Sequence, residues 1–124
     1  MKEIIRYIEL KSSAHTDADE AWIARAWQSS SGKTIYFNDM ALKRSQGIDS
    51  NHVDLETGDL YWISGVKKKG TNRHWGGSIY IEKSLLPWYK EHTEGKCPAE
   101  LIPKPDLPEP ETSRFHEIEN KHIS

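Results

Sequence analysis

Lys67-Lys68-Lys69-Gly70-Thr71-Asn72-Arg73-His74-Trp75 concentrates more potential chemistry than any other stretch of this chain. Four permanent cations and one histidine fall within nine residues, with Tyr61 and Trp62 before them and Tyr80 after. Cationic side chains neutralise phosphates, and exposed aromatic faces stack nucleobases. The spacing nominates Lys67, Lys68, Lys69 and Arg73 for charge, with His74 beside them, and Trp75 and Tyr61 for stacking or packing area. The bland alternative is a solvated hairpin: lysines at a tip protect a sheet edge, and Trp62 and Trp75 belong to the core. An acidic protein is a third partner for the same charge. Arg73 and His74 also suggest phosphate-ester hydrolysis, with His74 moving a proton and Arg73 stabilising charge. No second histidine or carboxylate lies close enough in sequence to complete that pair. The balance favours binding over catalysis.

Other motifs are weaker. Ser30-Ser31-Gly32-Lys33-Thr34 ends like a phosphate-binding loop. The full pattern needs glycine where Trp27 stands, and a helix where Ile35-Tyr36-Phe37 reads as strand. His52, Asp54 and Glu56 alternate, so a strand would turn all three to one side, as metal ligands or as solvated residues beside a turn. His116-Glu117-Ile118-Glu119-Asn120 lacks the second histidine of a zinc protease motif. Cys97 has no fixed basic neighbour to lower its pKa, and a lone cysteine excludes an internal disulfide. No metal or cofactor is expected.

Charge and composition bound the possibilities. The 124 residues carry a net charge of -2, which excludes a generally basic nucleic-acid binder. Mean hydropathy is -0.78. Five Trp, five Tyr and two Phe still supply enough large apolar area for a small core. No apolar run approaches the ~20 residues of a membrane helix, and the start shows no signal-peptide pattern. A cytoplasmic protein without membrane contact is expected. Residues 1–95 balance 13 Lys/Arg against 13 Asp/Glu, whereas residues 96–124 hold 4 and 6, together with five of the six prolines. Prolines that dense remove donors and restrict their predecessors. The expected organisation is a β-rich domain over 1–95 and a proline-rich acidic tail over 96–124, extended or disordered.

Strand and turn signals fill the first part. Strands are expected over 2–11, 22–27, 34–37, 40–43, 53–55 and 60–66, separated by Gly, Ser, Asn and Asp clusters. Asn38-Asp39 tolerates positive φ and marks a tight turn. Lys67 to Gly70 reads as a hairpin tip, with 71–75 and 78–81 as its return, interrupted by Gly76-Gly77. Ser84 as N-cap and Pro87 in the first turn predict a short helix to about His92, stopped by Gly95. The fold class is mainly β: a small antiparallel meander or partly open barrel of about six strands, one short C-terminal helix, then an irregular tail.

Several segments also carry a resemblance. They are Tyr7-Ile8-Glu9-Leu10-Lys11-Ser12 with Ala21-Trp22-Ile23-Ala24-Arg25, then Tyr36-Phe37-Asn38 with Ala41-Leu42-Lys43-Arg44, and Glu56-Thr57-Gly58. The most specific is Tyr61-Trp62-Ile63-Ser64-Gly65-Val66-Lys67-Lys68, continued by Gly70 and Arg73-His74-Trp75. Over roughly residues 7–90 the chain resembles a family of small bacterial proteins of uncharacterised function. That family tends to have Asn-Gly at Asn38-Asp39, and Gly-Ser-Gly-Lys-Ile at Gly77-Ser78-Ile79-Tyr80-Ile81. A ligand role for the Gly-Lys pair would therefore be missing here. Some members bear the label of a thiamine-diphosphate-dependent deoxyxylulose-phosphate synthase. Such an enzyme needs several hundred residues and a metal–diphosphate motif, and neither is present. The resemblance implies no activity. The expectation is a small non-enzymatic binding module contacting single-stranded nucleic acid through 66–75. The alternative is a protein-interaction module using exposed strand edges or the proline-rich tail, whose Pro105-Asp106-Leu107-Pro108 is its one P-x-x-P match.

Overall fold

Alternation decides what lies inside this molecule. In β1 (Lys2–Ser12) the even positions Ile8 and Leu10 are buried, and in β2 (Ala21–Gln28) so are Trp22, Ala24 and Ala26. The computed structural model describes residues 1–12, 20–73, 77–96 and 99–111. Ile35 and Phe37 of β3 (Thr34–Phe37), Leu42 of β4 (Met40–Arg44), and Tyr61 and Ile63 of β6 (Leu60–Ser64) join the same cluster. Between β4 and β6 runs β5 (His52–Asp54), whose His52 and Asp54 are buried while Val53 is half-exposed. Each of these strands pairs antiparallel with the next, and β6 returns to β1. The result is a closed six-stranded antiparallel barrel. A barrel this narrow fills its interior with side chains, so the small Ala24 and Ala26 leave room for the indole of Trp22.

Tight turns make the meander possible. Asn38 and Asp39 both take positive φ, 47° and 63°, as a two-residue hairpin turn requires. Gly32, at φ 74°, closes the β2–β3 turn with its N–H donating to the Ser29 carbonyl at 2.9 Å. That segment is a hairpin, and a strand follows Lys33 instead of the helix a phosphate-binding loop needs.

A second layer covers the outside of β1 and β2. Tyr7 and Ile23 face away from the barrel and pack with Ile79, Ile81, Leu85 and Tyr89. These come from β7 (Ser78–Glu82), a 3-10 turn (Lys83–Leu85) and α1 (Leu86–Thr93). One edge of β2 is occupied by β1 along its length. The other is shared, by β3 at Trp27 and Gln28 and by β7 at Trp22 and Ile23.

Three expectations need correction here. First, β7 does not fold back on β6: it runs parallel to β2, so the segment after β6 is a crossover and not a hairpin. Second, the ordered body does not end near Gly95. Strand β8 (Glu100–Lys104) pairs parallel with β7 over its whole length. Pro103 is tolerated because β8 ends the sheet and needs donors on one side only. Third, Ser84 is not a side-chain cap; its N–H donates to Asp106 Oδ1 at 3.0 Å, so the segment after β8 caps the turn.

The anchor of this layer is Glu82, fully buried on β7. Its carboxylate accepts from the Arg25 backbone N–H, from Arg25 Nη2 at 3.1 Å and from the Leu107 N–H at 2.8 Å. Arg25 Nη2 also donates to the Leu107 carbonyl at 3.1 Å. One ion pair therefore joins β2, β7 and the chain beyond β8. Losing Glu82 would leave the Arg25 guanidinium, among the described residues, with only the more distant and exposed Glu3, at 3.8 Å, and Glu109, at 4.0 Å, as ion-pair partners. Glu82→Gln is expected to cost on the order of 3 kcal/mol. Urea denaturation should show this as a lower midpoint, accompanied by faster amide exchange at Leu107.

Candidate functional site

Strand β6 presents two faces. Tyr61 and Ile63 point into the barrel, and Leu60 and Trp62 point out. Tyr61 is 8% exposed and Trp62 is 40% exposed. Tyr61 thus cannot serve as a stacking surface: its hydroxyl donates to Met40 Sδ at 3.5 Å, and burial first, then nearby acidic charge, hold it protonated. The outward ring is Trp62, which stands directly across from Glu9 of β1.

Glu9 is itself buried, since its outer-face neighbours Tyr7 and Lys11 close over it. The Tyr7 hydroxyl donates to Oε1, and Lys11 Nζ pairs with Oε2 at 2.6 Å. Burial alone would raise this carboxyl. Hydrogen bonds from Lys11 and Tyr7, with the charges of Lys11 and Arg73, outweigh it and hold the group below its usual value. Around the pair opens a cleft of about 310 Å³, lined by Lys11, Ile48, Asp49, Trp62, Asn72 and Arg73 as well as Glu9.

The crossover after β6 is tightly held. The Lys67 N–H donates to Asn72 Oδ1 at 2.8 Å, and Asn72 Nδ2 donates to the Gly65 carbonyl at 2.9 Å and to Ser64 Oγ at 3.2 Å. Gly70, at φ 68°, donates its N–H to the Lys67 carbonyl at 3.0 Å, closing a turn that L residues with side chains enter only under strain. From α1, His92 Nε2 donates to the Val66 carbonyl at 2.8 Å, its ring stacked on Trp88 at 4.6 Å. Lys67, Lys68 and Lys69 remain exposed on this frame. Arg73 Nη1 donates to the Ser78 carbonyl at 2.8 Å. A Cβ at Gly77 would sit 2.8 Å from Arg73 Nε, so glycine there lets the guanidinium lie along the backbone.

Of the nominated residues, Arg73 lines the cleft, the three lysines lie on the loop that Asn72 ties to it, and Tyr61 is removed to the interior. His74 and Trp75 lie outside the described residues, as do Cys97 and the 116–120 segment. Lys11, Trp62 and Asn72 are the additions. Trp62 was hidden by the run Leu60-Tyr61-Trp62-Ile63, which is apolar on both faces; only the parity of the closed barrel separates its two sides.

His52, Asp54 and Glu56 do not form a metal centre. Asp54 Oδ1 accepts from the Glu56 N–H at 2.9 Å, capping the turn after β5. Among the described residues no three His, Cys, Asp or Glu side chains gather as a ligand set. Instead Asn51 Oδ1 lies 2.8 Å from His52 Nδ1. No helix of the described residues is long and apolar enough to cross a membrane. No known family, curated protein or solved structure matches this chain.

Burial, and then the charge of Arg44, push the His52 imidazole down from 6.5 to about 4. The folded chain therefore keeps it neutral where the unfolded chain binds a proton. Stability from this source is complete above about 6.5 and is lost as pH falls toward about 4. Its size is roughly 3 kcal/mol. His52→Gln is expected to flatten the rise in urea-denaturation stability between about pH 4.5 and pH 6.5 relative to the parent chain. An unchanged slope would show that His52 does not carry it.

Proposed function

We propose that this protein is a small non-enzymatic binding module for single-stranded nucleic acid, contacted by Trp62 and the 66–73 loop. The carrying observation is the exposed Trp62 ring in an open cleft with Lys11 and Arg73, joined through Asn72 to the loop bearing three exposed lysines. An indole face accepts any base by stacking, and cations alongside it follow the phosphates. The net charge of -2 does not oppose this. Exposed charges more than ~10 Å apart are largely screened at ordinary salt, so a ligand responds to the local patch. Of the two acids in the cleft, Glu9 is paired with Lys11 at 2.6 Å, so that pair adds no net charge, and Asp49 is outnumbered by Arg73 and the three loop lysines.

Protein docking through strand edges has less support. Barrel closure consumes edges, and the outer strand β8 carries Pro103, which cannot donate to an added strand. A free proline-rich ligand is likewise disfavoured within residues 99–111, whose Asp106 and Leu107 are bound to the body.

Fluorescence titration with a short single-stranded oligonucleotide should show Trp62 quenching and salt-dependent affinity. Replacing Lys67, Lys68 and Lys69 together by Gln should reduce the log–log salt slope by about 2 if each contacts a phosphate. Trp62→Ala should weaken binding roughly tenfold or more with the slope unchanged. An affinity that ignores both salt and the lysine replacement would end this reading.

A further inference from the structure

The two ends of the barrel differ in chemistry. At one end a cavity of about 110 Å³ is walled by apolar side chains such as Leu10, Phe37 and Met40, with Glu20 as its one acid among the described residues. At the other, a cavity of about 270 Å³ is lined by Arg6, Arg44, Asn51, His52 and Ser64 over Ile35 and Ile63. Among the described residues no Asp or Glu lines that second mouth. The strand pattern places these groups there. Arg6 extends the inward row of Ile8 and Leu10, and Arg44 is the register partner of His52. Among the described residues Arg44 has no acidic partner, and Arg6 donates only to the carbonyl of its neighbour Ile5 at 2.9 Å.

Hydrogen bonding fixes the tautomer of the histidine between them. The Ile63 N–H donates to Asn51 Oδ1 at 2.8 Å, and Asn51 Nδ2 donates to the Ile63 carbonyl at 2.8 Å. Those two bonds orient the amide. Its Oδ1, an acceptor only, then takes the Nδ1–H of His52 at 2.8 Å. The neutral ring consequently carries its lone pair on Nε2. A ligand matching this mouth brings negative charge for two guanidinium groups and one hydroxyl donor for Nε2. The singly protonated phosphate monoester has both features. A phosphodiester or a carboxylate has the charge without the donor. The same positive field that opposes a proton on His52 favours an anion.

We propose that the basic mouth of the barrel binds a small phosphate monoester, its oxygens held by Arg6 and Arg44 and its P–OH by His52 Nε2. The volume is close to the lower limit of small-molecule pockets, ~300 Å³. This site is separate from the nucleic-acid surface: Trp62, Arg73 and the three lysines do not line it.

Calorimetric and amide-shift titrations of the full chain near pH 6, where a monoester is about half protonated, provide the test. Phenyl phosphate is expected to bind saturably, shifting the amides of Asn51, His52 and Ser64. Arg44→Gln and Arg6→Gln should each weaken it roughly tenfold or more. Arg44 is exposed, so its replacement should leave the remaining amide spectrum intact. The triple Lys→Gln variant at 67–69 should bind phenyl phosphate like the parent. Dimethyl phosphate binding as tightly as phenyl phosphate would overturn the role of His52. Inorganic phosphate binding equally well would assign the mouth to free phosphate and overturn the ester. An absence of saturation, or an Arg44→Gln variant equal to the parent, would overturn the site altogether.

Discussion

The functional features of this chain depend on how Asn51 completes the barrel between β5 and β6. Those strands share only two register pairs, His52 with Tyr61 and Val53 with Leu60. Beyond them the Asn51 side chain acts as a substitute peptide, accepting from the N–H of Ile63 and donating to its carbonyl. Both backbone groups of a buried residue are thereby satisfied where the ladder itself stops. The end of β6 is held in place, and the crossover bearing the lysines departs from it. The same amide also sets the protonation pattern of His52. A hydrocarbon replacement would leave Ile63 with unpaired groups and free the histidine ring to turn.

Closure of the barrel also explains how a polar chain with mean hydropathy -0.78 keeps a fixed core. Six strands wrapped on themselves need one apolar residue in two, and the interior takes the even positions of β1 and β2 and the odd positions of β3 and β6. The outer face is then free for chemistry except where β7 and α1 cover β1 and β2 and where Tyr36 and Ala41 are buried with Trp27 and Leu55. Glu9 shows what that freedom costs. A carboxylate on the outer face becomes buried by its own neighbours, and Tyr7 and Lys11, with the charge of Arg73, keep it charged.

Most strands were legible because alternation and turn chemistry agree. Asn38-Asp39 adopts the positive φ values its residue types permit, and β3 and β4 fall on either side of it. Two features were not legible, for definite physical reasons. Parallel pairing of β7 with β2 depends on burying Ile79 and Ile81 against Ile23, a long-range contact with no local signature. The proline-rich segment looked unsuited to a sheet because its spacing excludes interior strands. It does not exclude a terminal one, and Asp106 and Leu107 find partners that proline density cannot reveal. Near the proposed site the basic run is visible in the sequence, but Tyr61, nominated for stacking or packing area, lies on the inner face of β6 and Trp62 on the outer. Tyr61 and Trp62 are adjacent in sequence and lie on opposite sides of a wall one strand thick.

The charge distribution follows from the same wall. Ser64 and Gly65 border the basic mouth, and they also receive the side chain of Asn72. The inner and outer cationic groups thus meet at one junction, the end of β6, while Glu20 sits by the opposite opening. A net charge of -2 averages over this polarity and conceals it. Screening makes the average nearly irrelevant to a ligand, which feels the charges within about one Debye length, ~8–10 Å. A rigid loop adds to the effect. Hydrogen bonds from the Lys67 N–H to Asn72 and from His92 to the Val66 carbonyl already fix the backbone carrying the lysines, so a ligand would have less main-chain entropy to remove on binding.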